Sequence, residues 1–303
     1  LTATDANRFA LRMARLITGR QKVLVFNYCY HGSVDETFIT MDEEGTPMSR
    51  PNNMGPQIDP RETSKVIEFN DIAALETALS ARDVAAVLAE PVMTNIGIIH
   101  PNPGYHDALR KLTRKYGTYL IIDETHTICT GPGGYTASFG LQPDFLTLGK
   151  PLAGGVPAAI YGFTEEVSKA FAEKLSVEDS DVGGIGGTLS GNALSIAAMK
   201  ATLQNVLTEE FYSKATALQE QFTEGVQSVI KEFNLPWIVK QLGNRSEYWF
   251  RPNPPKNGGE AHSAVDPELD RYMHLYALNR GILMTPFHNM GLISPETSKA
   301  DVD

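Results

Sequence analysis

Short apolar runs that stop abruptly at polar residues recur through the first half of the chain, with helical segments between them. "KVLVF" (22–26), "VAAVLAE" (84–90), "TYLIID" (118–123), "DFLTLG" (144–149) and "PAAIYGF" (157–163) are too short for helices and read as buried strands. "DIAALETALSAR" (71–82) and "GYHDALRKLTRKYG" (104–117) carry a 3.6-residue period, and the second closes on Gly117 after basic residues, a helix C-terminus signal. Strand and helix in alternation predict an α/β fold whose sheet is mostly parallel and covered on both faces. From about Ser190 the pattern changes: a long helical region (190–232) leads to short strands in "SEYWF" and "GILMT" around a helix near 266–280. The expected division is a large α/β domain over 1–207 and a smaller α+β domain over 208–303. "TMDEEGTPMSRPNNMGPQIDP" (40–60) and "RPNPPKNGGEAH" (251–262) read as loops.

The bulk numbers exclude several classes. A net charge of −10 over 303 residues argues against a nucleic-acid-binding face. Cys29 and Cys129 have no paired spacing, so no disulfide framework or zinc knuckle is implied, which fits a reducing, cytoplasmic setting. No uncharged apolar window reaches 18 residues, and no basic-then-apolar leader opens the chain, so no membrane partner is expected.

Ligands of open α/β sheets sit beyond the C-terminal ends of the strands. "NYCYHG", "EPVMTN", "DETHT" and "GKPLAGG" occupy those places. Lys150 follows a strand and precedes a glycine-rich stretch; desolvation there lowers an amine's pKa and makes it nucleophilic, as a Schiff-base lysine requires. The plain alternative is a lysine that reaches solvent. Asp123 closes a buried strand, where an unpaired carboxylate costs several kcal/mol. The expectation is a permanent cationic partner that the chain does not encode, a protonated pyridine nitrogen. An arginine salt bridge is one rival. Metal ligation with Glu124 and His126 is another, disfavoured because 123 and 124 point to opposite faces of an extended segment and no second ligand cluster exists.

"TATD" (2–5) fits a capping box ahead of a helix, and free N–H groups at such an end attract anions, though a capping box is often only a cap. "GGIGGTLSGN" (183–192) is a second phosphate candidate; neither it nor "GPGG" fits a dinucleotide fingerprint or a P-loop. Tyr30 at a strand end could stack on a planar ring or simply pack. Jointly these signals call for a ligand that is planar and aromatic, bears a phosphate, contains a pyridine nitrogen and condenses with a lysine. Pyridoxal 5′-phosphate has all four properties.

"DETHT" followed by "FLTLGKPLAGGVP", with Asp123 and Lys150 27 positions apart, resembles the class III aminotransferases and their "DE-x-x-T…T-x-GK-x-x-GG-x-P" signature. "TATDANRFALRMARLITGR", "YHG", "EP" after a strand and the segment ending "GGTLSGN" match in order, so the resemblance covers essentially the whole chain. It implies the fold type I architecture of pyridoxal-phosphate enzymes, a homodimer with shared active sites, and further sequence before residue 1 and after the last. It also implies site roles. Lys150 would condense with the cofactor and shuttle a proton, and Asp123 would hold the pyridine nitrogen. Ala3 and Thr4 would bind phosphate. Tyr30 would stack on the ring with His31 adjoining, and Thr125 would pack on the other face. His126 would lie near the ring hydroxyl, Thr188 would reach the neighbouring subunit's phosphate, and Glu90 would play a supporting part. Arg280 or Arg251 are candidates to grip a substrate carboxylate.

Three departures stand out: Ala3 replaces a family glycine, Thr125-His126 replaces Val-Gln, and "ICTGPGGY" lacks the arginine of "GFGRTG". The chain looks closest to the branch that contains glutamate-1-semialdehyde aminomutase and the β-amino-acid (β-phenylalanine-type) aminotransferases, and the latter is the favoured reading. The implied reaction is ping-pong transfer of an amino group from a β-amino acid or related amine to a keto acid such as 2-oxoglutarate or pyruvate. Intramolecular transfer on glutamate-1-semialdehyde and a catalytically incomplete binding homologue are the alternatives.

Overall fold

Every side chain of the strand Val84–Ala89 is buried. Successive side chains point to opposite faces, so this strand is covered on both sides. The protein, a computed structural model, is described over residues 1–54, 58–175 and 184–303. Its main sheet holds six strands: β1 (Lys22–Phe26), β2 (Ser64–Ile67), β3 (Val84–Ala89), β4 (Tyr119–Asp123), β5 (Phe145–Leu148) and β6 (Ile160–Phe163). Their spatial order is β2-β1-β3-β4-β5-β6. All pairings are parallel except β5 with β6. The expected strands are therefore present, with one correction. β6 was expected to be buried, yet Ile160 and Phe163 are exposed, because β6 is the edge strand and has a neighbour on one side only. β2 was not anticipated: its run "SKVI" is short, and Lys65 interrupts it by turning its amine to Ala78 and Asp83.

Helix α1 (Ala3–Thr18) packs across β3, β4, β5 and β6. Thr2 and Asp5 form the expected capping box, and Gly19 closes the helix in the left-handed region. Helices α2 (Ile72–Ser80) and α3 (Tyr105–Tyr116) pack on each other, on β2 and on β4. Helix α4 (Glu165–Lys174) packs on α1. The long helical region is two helices, α5 (Ala193–Asn205) and α6 (Glu209–Glu232).

A second sheet, antiparallel and three-stranded, comprises β7 (Ile238–Leu242), β8 (Arg245–Trp249) and β9 (Met290–Leu292), and α6 packs against it. Helix α7 (Pro267–Leu278) falls where expected. "GILMT" does not form a strand: residues 290–292 occupy the free edge of β8, and Ile282 and Leu283 stay exposed. The loop at 40–60 contains part of a small hairpin, Ile39–Met41 paired with Pro47–Ser49, and the loop at 251–262 ends in a short helix, Gly258–His262.

Candidate active site

The C-terminal ends of β1, β3, β4 and β5 converge. β4 and β5 pair with Asp123 opposite Thr147, and Lys150 follows three residues later. Lys150 sits at φ 46°, in the left-handed region that a non-glycine residue adopts at a cost of roughly 1–2 kcal/mol. A cavity of about 300 Å³ opens here, lined by residues that include Ala3, Thr4, Tyr30, Glu90, Asp123, Thr125, His126 and Lys150. Sequence reasoning had picked all eight. The Lys150 side chain stands open to this space, while burial pushes its amine pKa down against the raising pull of Asp123 and Glu90.

Asp123 differs from the expectation in one respect: the chain does encode a cation for it. His31 Nδ1 lies 2.9 Å from Asp123 Oδ2, and both side chains are buried. Asn7 donates to the same oxygen at 2.8 Å, and the Thr125 N–H donates to Oδ1 at 3.0 Å. Burial alone would favour the neutral acid, but His31, Thr125 and Asn7 hold Asp123 down at about 2. Burial likewise works against a charged His31, yet the neighbouring Cys29 and the hydrogen bond and charge of Asp123 raise it to about 10. His31 therefore supports Asp123 from behind and does not line the cavity. Thr147 donates to Asn7 Oδ1 at 2.6 Å and fixes the amide that faces Asp123.

A second chain of contacts runs along one wall. The Thr94 hydroxyl donates to Glu90 Oε2 and contacts His126 Nδ1. The Thr94 hydroxyl thus ties the carboxyl of Glu90 to the imidazole of His126. Burial, then the charges of Lys150 and Arg245, push His126 down to about 3, so it is neutral. Burial pushes Glu90 up. Two neighbouring acids thus have opposite tendencies, Asp123 towards the ionised form and Glu90 towards the neutral one.

The third wall is the start of α1. Among the described residues the backbone N–H groups of Ala3 and Thr4 have no acceptor. Gly32, at φ 77°, lies so close to Thr4 that an added Cβ would meet the threonine Cα at 2.9 Å. The Ser33 N–H donates to Thr4 Oγ1 at 2.9 Å, which leaves the hydroxyl proton of Thr4 free to donate.

Two expected site residues lie elsewhere. Arg280 is exposed, its guanidinium 3.5 Å from the centre of the Tyr276 ring, and it lines neither this cavity nor its neighbour. Thr188 is exposed in the turn before α5; the start of its motif, Gly183, lies outside the described residues. Glu124 turns away from Asp123, as alternation requires, and accepts from the Tyr135 N–H at 3.1 Å and from Thr136. Among the described residues no cluster could hold a metal ion, and no helix is long and apolar enough to cross a membrane.

Sequence reasoning assigned no role to Asn7, Thr94 or Thr147, and it missed Arg245. A neighbouring cavity of about 620 Å³ shares Tyr30, Thr125, His126 and Lys150 with the first, and Arg245 forms part of its wall. Asn7 in "TATDAN", Thr94 in "EPVMTN" and Thr147 in "FLTLGK" all lay inside quoted segments, whereas Arg245 carried no such signal.

A family model described as class III aminotransferase matches residues 2–294. A glutamate-1-semialdehyde 2,1-aminomutase from Neisseria meningitidis (serogroup C) is 33% identical over 291 residues, which cover 94% of this chain and 66% of that protein. One from Nitrosospira multiformis is 30% identical over 305 residues, 99% of this chain and 70% of that protein. A solved structure described as a glutamate-1-semialdehyde-aminomutase from Pseudomonas aeruginosa PAO1, in complex with PMP, superposes with a TM-score of 0.96 at 47% identity, covering 99% of this chain and 67% of that one. A β-phenylalanine aminotransferase from Variovorax paradoxus has the same fold, with a TM-score of 0.81 at 24% identity, over 99% of this chain and 66% of that one. The chain spans only about two thirds of the length of these relatives. With its parallel sheet, its strand-end lysine and aspartate and the family match over nearly its full extent, the chain belongs to the class III aminotransferases.

Proposed function

We propose that this chain binds pyridoxal 5′-phosphate in the 300 Å³ cavity and moves an amino group, with the glutamate-1-semialdehyde 2,1-aminomutase reaction as the first reading. The observation that carries the proposal is one cavity wall bearing both Lys150 and an Asp123 held ionised by His31, Asn7 and Thr125. The residues fit the group. Among the described residues Thr125 Oγ1 and Glu90 Oε1 are buried without a partner, and the Ala3 and Thr4 N–H groups, with the close approach at Gly32, form an anion cradle at a helix start. When bound, the cofactor supplies an aldehyde that condenses with a primary amine and a protonated ring that takes up electron density.

The chain's own residues do the rest. Asp123 would hold a proton on the ring nitrogen. Tyr30 and Thr125 would confine the ring, and Ala3 and Thr4 would receive the phosphate, while Thr188 would serve the phosphate of a second subunit. Lys150 Nζ, whose pKa burial lowers, would take the proton from the amine-bearing carbon and return it to the same or another position. The neutral His126 lines the same cavity. The same reading makes the protein a cytoplasmic homodimer with shared sites; the exposed apolar residues Leu194, Ile196 and Leu203 on α5 favour a covered surface there. It also takes 1–207 as the cofactor-binding domain and 208–303 as the smaller one.

The aminomutase reading replaces the β-amino-acid preference drawn from sequence, because the aminomutase of known structure is 47% identical and the β-phenylalanine enzyme 24%. The second reading, transfer from a β-amino acid to a keto acid, stays alive through the roomy and largely apolar neighbouring cavity. One assay separates the two. Cofactor-loaded protein is given glutamate-1-semialdehyde or a β-amino acid with 2-oxoglutarate, and products are identified by mass and retention. An isomeric amino ketone with no keto acid consumed supports the mutase. A new keto acid matched by glutamate supports the transaminase. Neither product, with Lys150→Ala behaving as wild type in cofactor absorbance, defeats both.

A further inference from the structure

The 620 Å³ cavity beside Lys150 has walls of mostly apolar residues, among them Ile128, Leu207, Phe211 and Met290. Arg245 is set into this wall with only 4% of its surface exposed. A guanidinium so desolvated keeps its charge and needs anionic or carbonyl partners for its donors. Nη2 uses both of its hydrogens, on the Thr94 carbonyl at 2.9 Å and on Glu247 Oε2 at 2.9 Å. Among the described residues Nε is buried without a partner and Nη1 donates to nothing. Glu247 is not devoted to Arg245: its other oxygen contacts His288 Nδ1 at 2.8 Å. Arg245 therefore lines the cavity with Nη1 as its unspent donor.

We propose that Arg245 is the anion contact of the substrate chamber, binding the carboxylate of an amine substrate whose apolar portion lies in the cavity beside Lys150. This rests on the reading that Lys150 is the reacting amine. It assigns to β8 the role that the sequence had left to Arg280 or Arg251. Both candidate reactions use a substrate with a carboxylate set apart from its amine, and Arg245 is the deeply buried cation on the wall of the cavity that Lys150 shares.

The test is calorimetric titration of cofactor-loaded protein with 3-phenylpropionate and with its neutral amide. The variant is Arg245→Gln/Glu247→Gln, which removes the pair together so that no lone buried carboxylate remains. Wild type is expected to prefer the acid, and the double variant to lose roughly 10- to 100-fold in affinity for the acid, the usual worth of a hydrogen bond to a charged group. Affinity for the amide should be the same in both proteins. Arg245→Lys, which retains a cation, should keep the preference for acid over amide. Equal binding of acid and amide by wild type, undiminished acid binding by the double variant, or loss of preference in Arg245→Lys would each overturn the assignment. Visible cofactor absorbance is read on the same samples: its absence counts against the proposed function, whereas lost acid–amide discrimination counts against Arg245.

Discussion

His31 Nδ1 and Asp123 Oδ2 are 2.9 Å apart, from strand ends 92 positions distant in sequence. A carboxylate and an imidazolium buried together make each other's charged form favourable, and removing one partner of such a pair costs about 3–5 kcal/mol. His31→Phe is expected to lower unfolding free energy by that amount in urea denaturation at pH 6. The pH profile has a definite sign. His31 is raised from 6.5 to about 10, so its contribution is complete below pH 6.5 and is lost as pH rises through about 10. Asp123 is lowered from 3.8 to about 2, so its contribution is complete above pH 3.8 and is lost as pH falls through about 2. The alkaline decline in stability between pH 6.5 and 10 should be shallower in His31→Phe than in wild type.

Lys150 permits a separation of chemistry from backbone strain. Both Lys150→Ala and Lys150→Gly should abolish turnover and the visible absorbance of lysine-bound cofactor. The glycine variant should nevertheless be more stable than the alanine variant by about 1 kcal/mol, since φ 46° strains alanine and not glycine. Equal melting profiles of the two proteins would remove strain from the account of this site.

Gly32→Ala tests the phosphate cradle. The new methyl would collide with the Thr4 backbone, and displacing α1 to relieve the clash is expected to cost about 1–3 kcal/mol. Cofactor affinity, followed by absorbance titration, should fall together with thermal stability.

Thr94→Val keeps the shape of the side chain and removes the hydroxyl between Glu90 and His126. Two buried polar groups lose a partner, at about 1–3 kcal/mol each. The variant should unfold at lower urea concentration, and turnover and cofactor affinity should both fall, since Glu90 and His126 line the cofactor cavity.

Much of this site was legible because strand ends in a parallel sheet confine where chemistry can occur, and Asp123, Lys150, Glu90 and Tyr30 each follow a recognisable apolar run. What spacing could not reveal was pairing across the sheet. Nothing local in "YHG" says that His31 turns behind Asp123 and not toward the cavity, and nothing local links Thr94 to His126. Arg245 was overlooked because its strand reads as an ordinary β-run, whereas Arg280 turned back onto Tyr276. β6 misled for the opposite reason: its apolar composition was real, but an edge position leaves it half uncovered.

The pairing of Asp123 with Thr147 has a wider implication. The separation between acid and amine is inherited from the hydrogen-bond ladder of two core strands, not from either loop. Surrounding segments can therefore diversify, and substrate choice can drift, without loosening the two groups on which the proposed reaction depends. A slip of a single rung would turn the acid to the opposite side of the sheet and silence the enzyme outright.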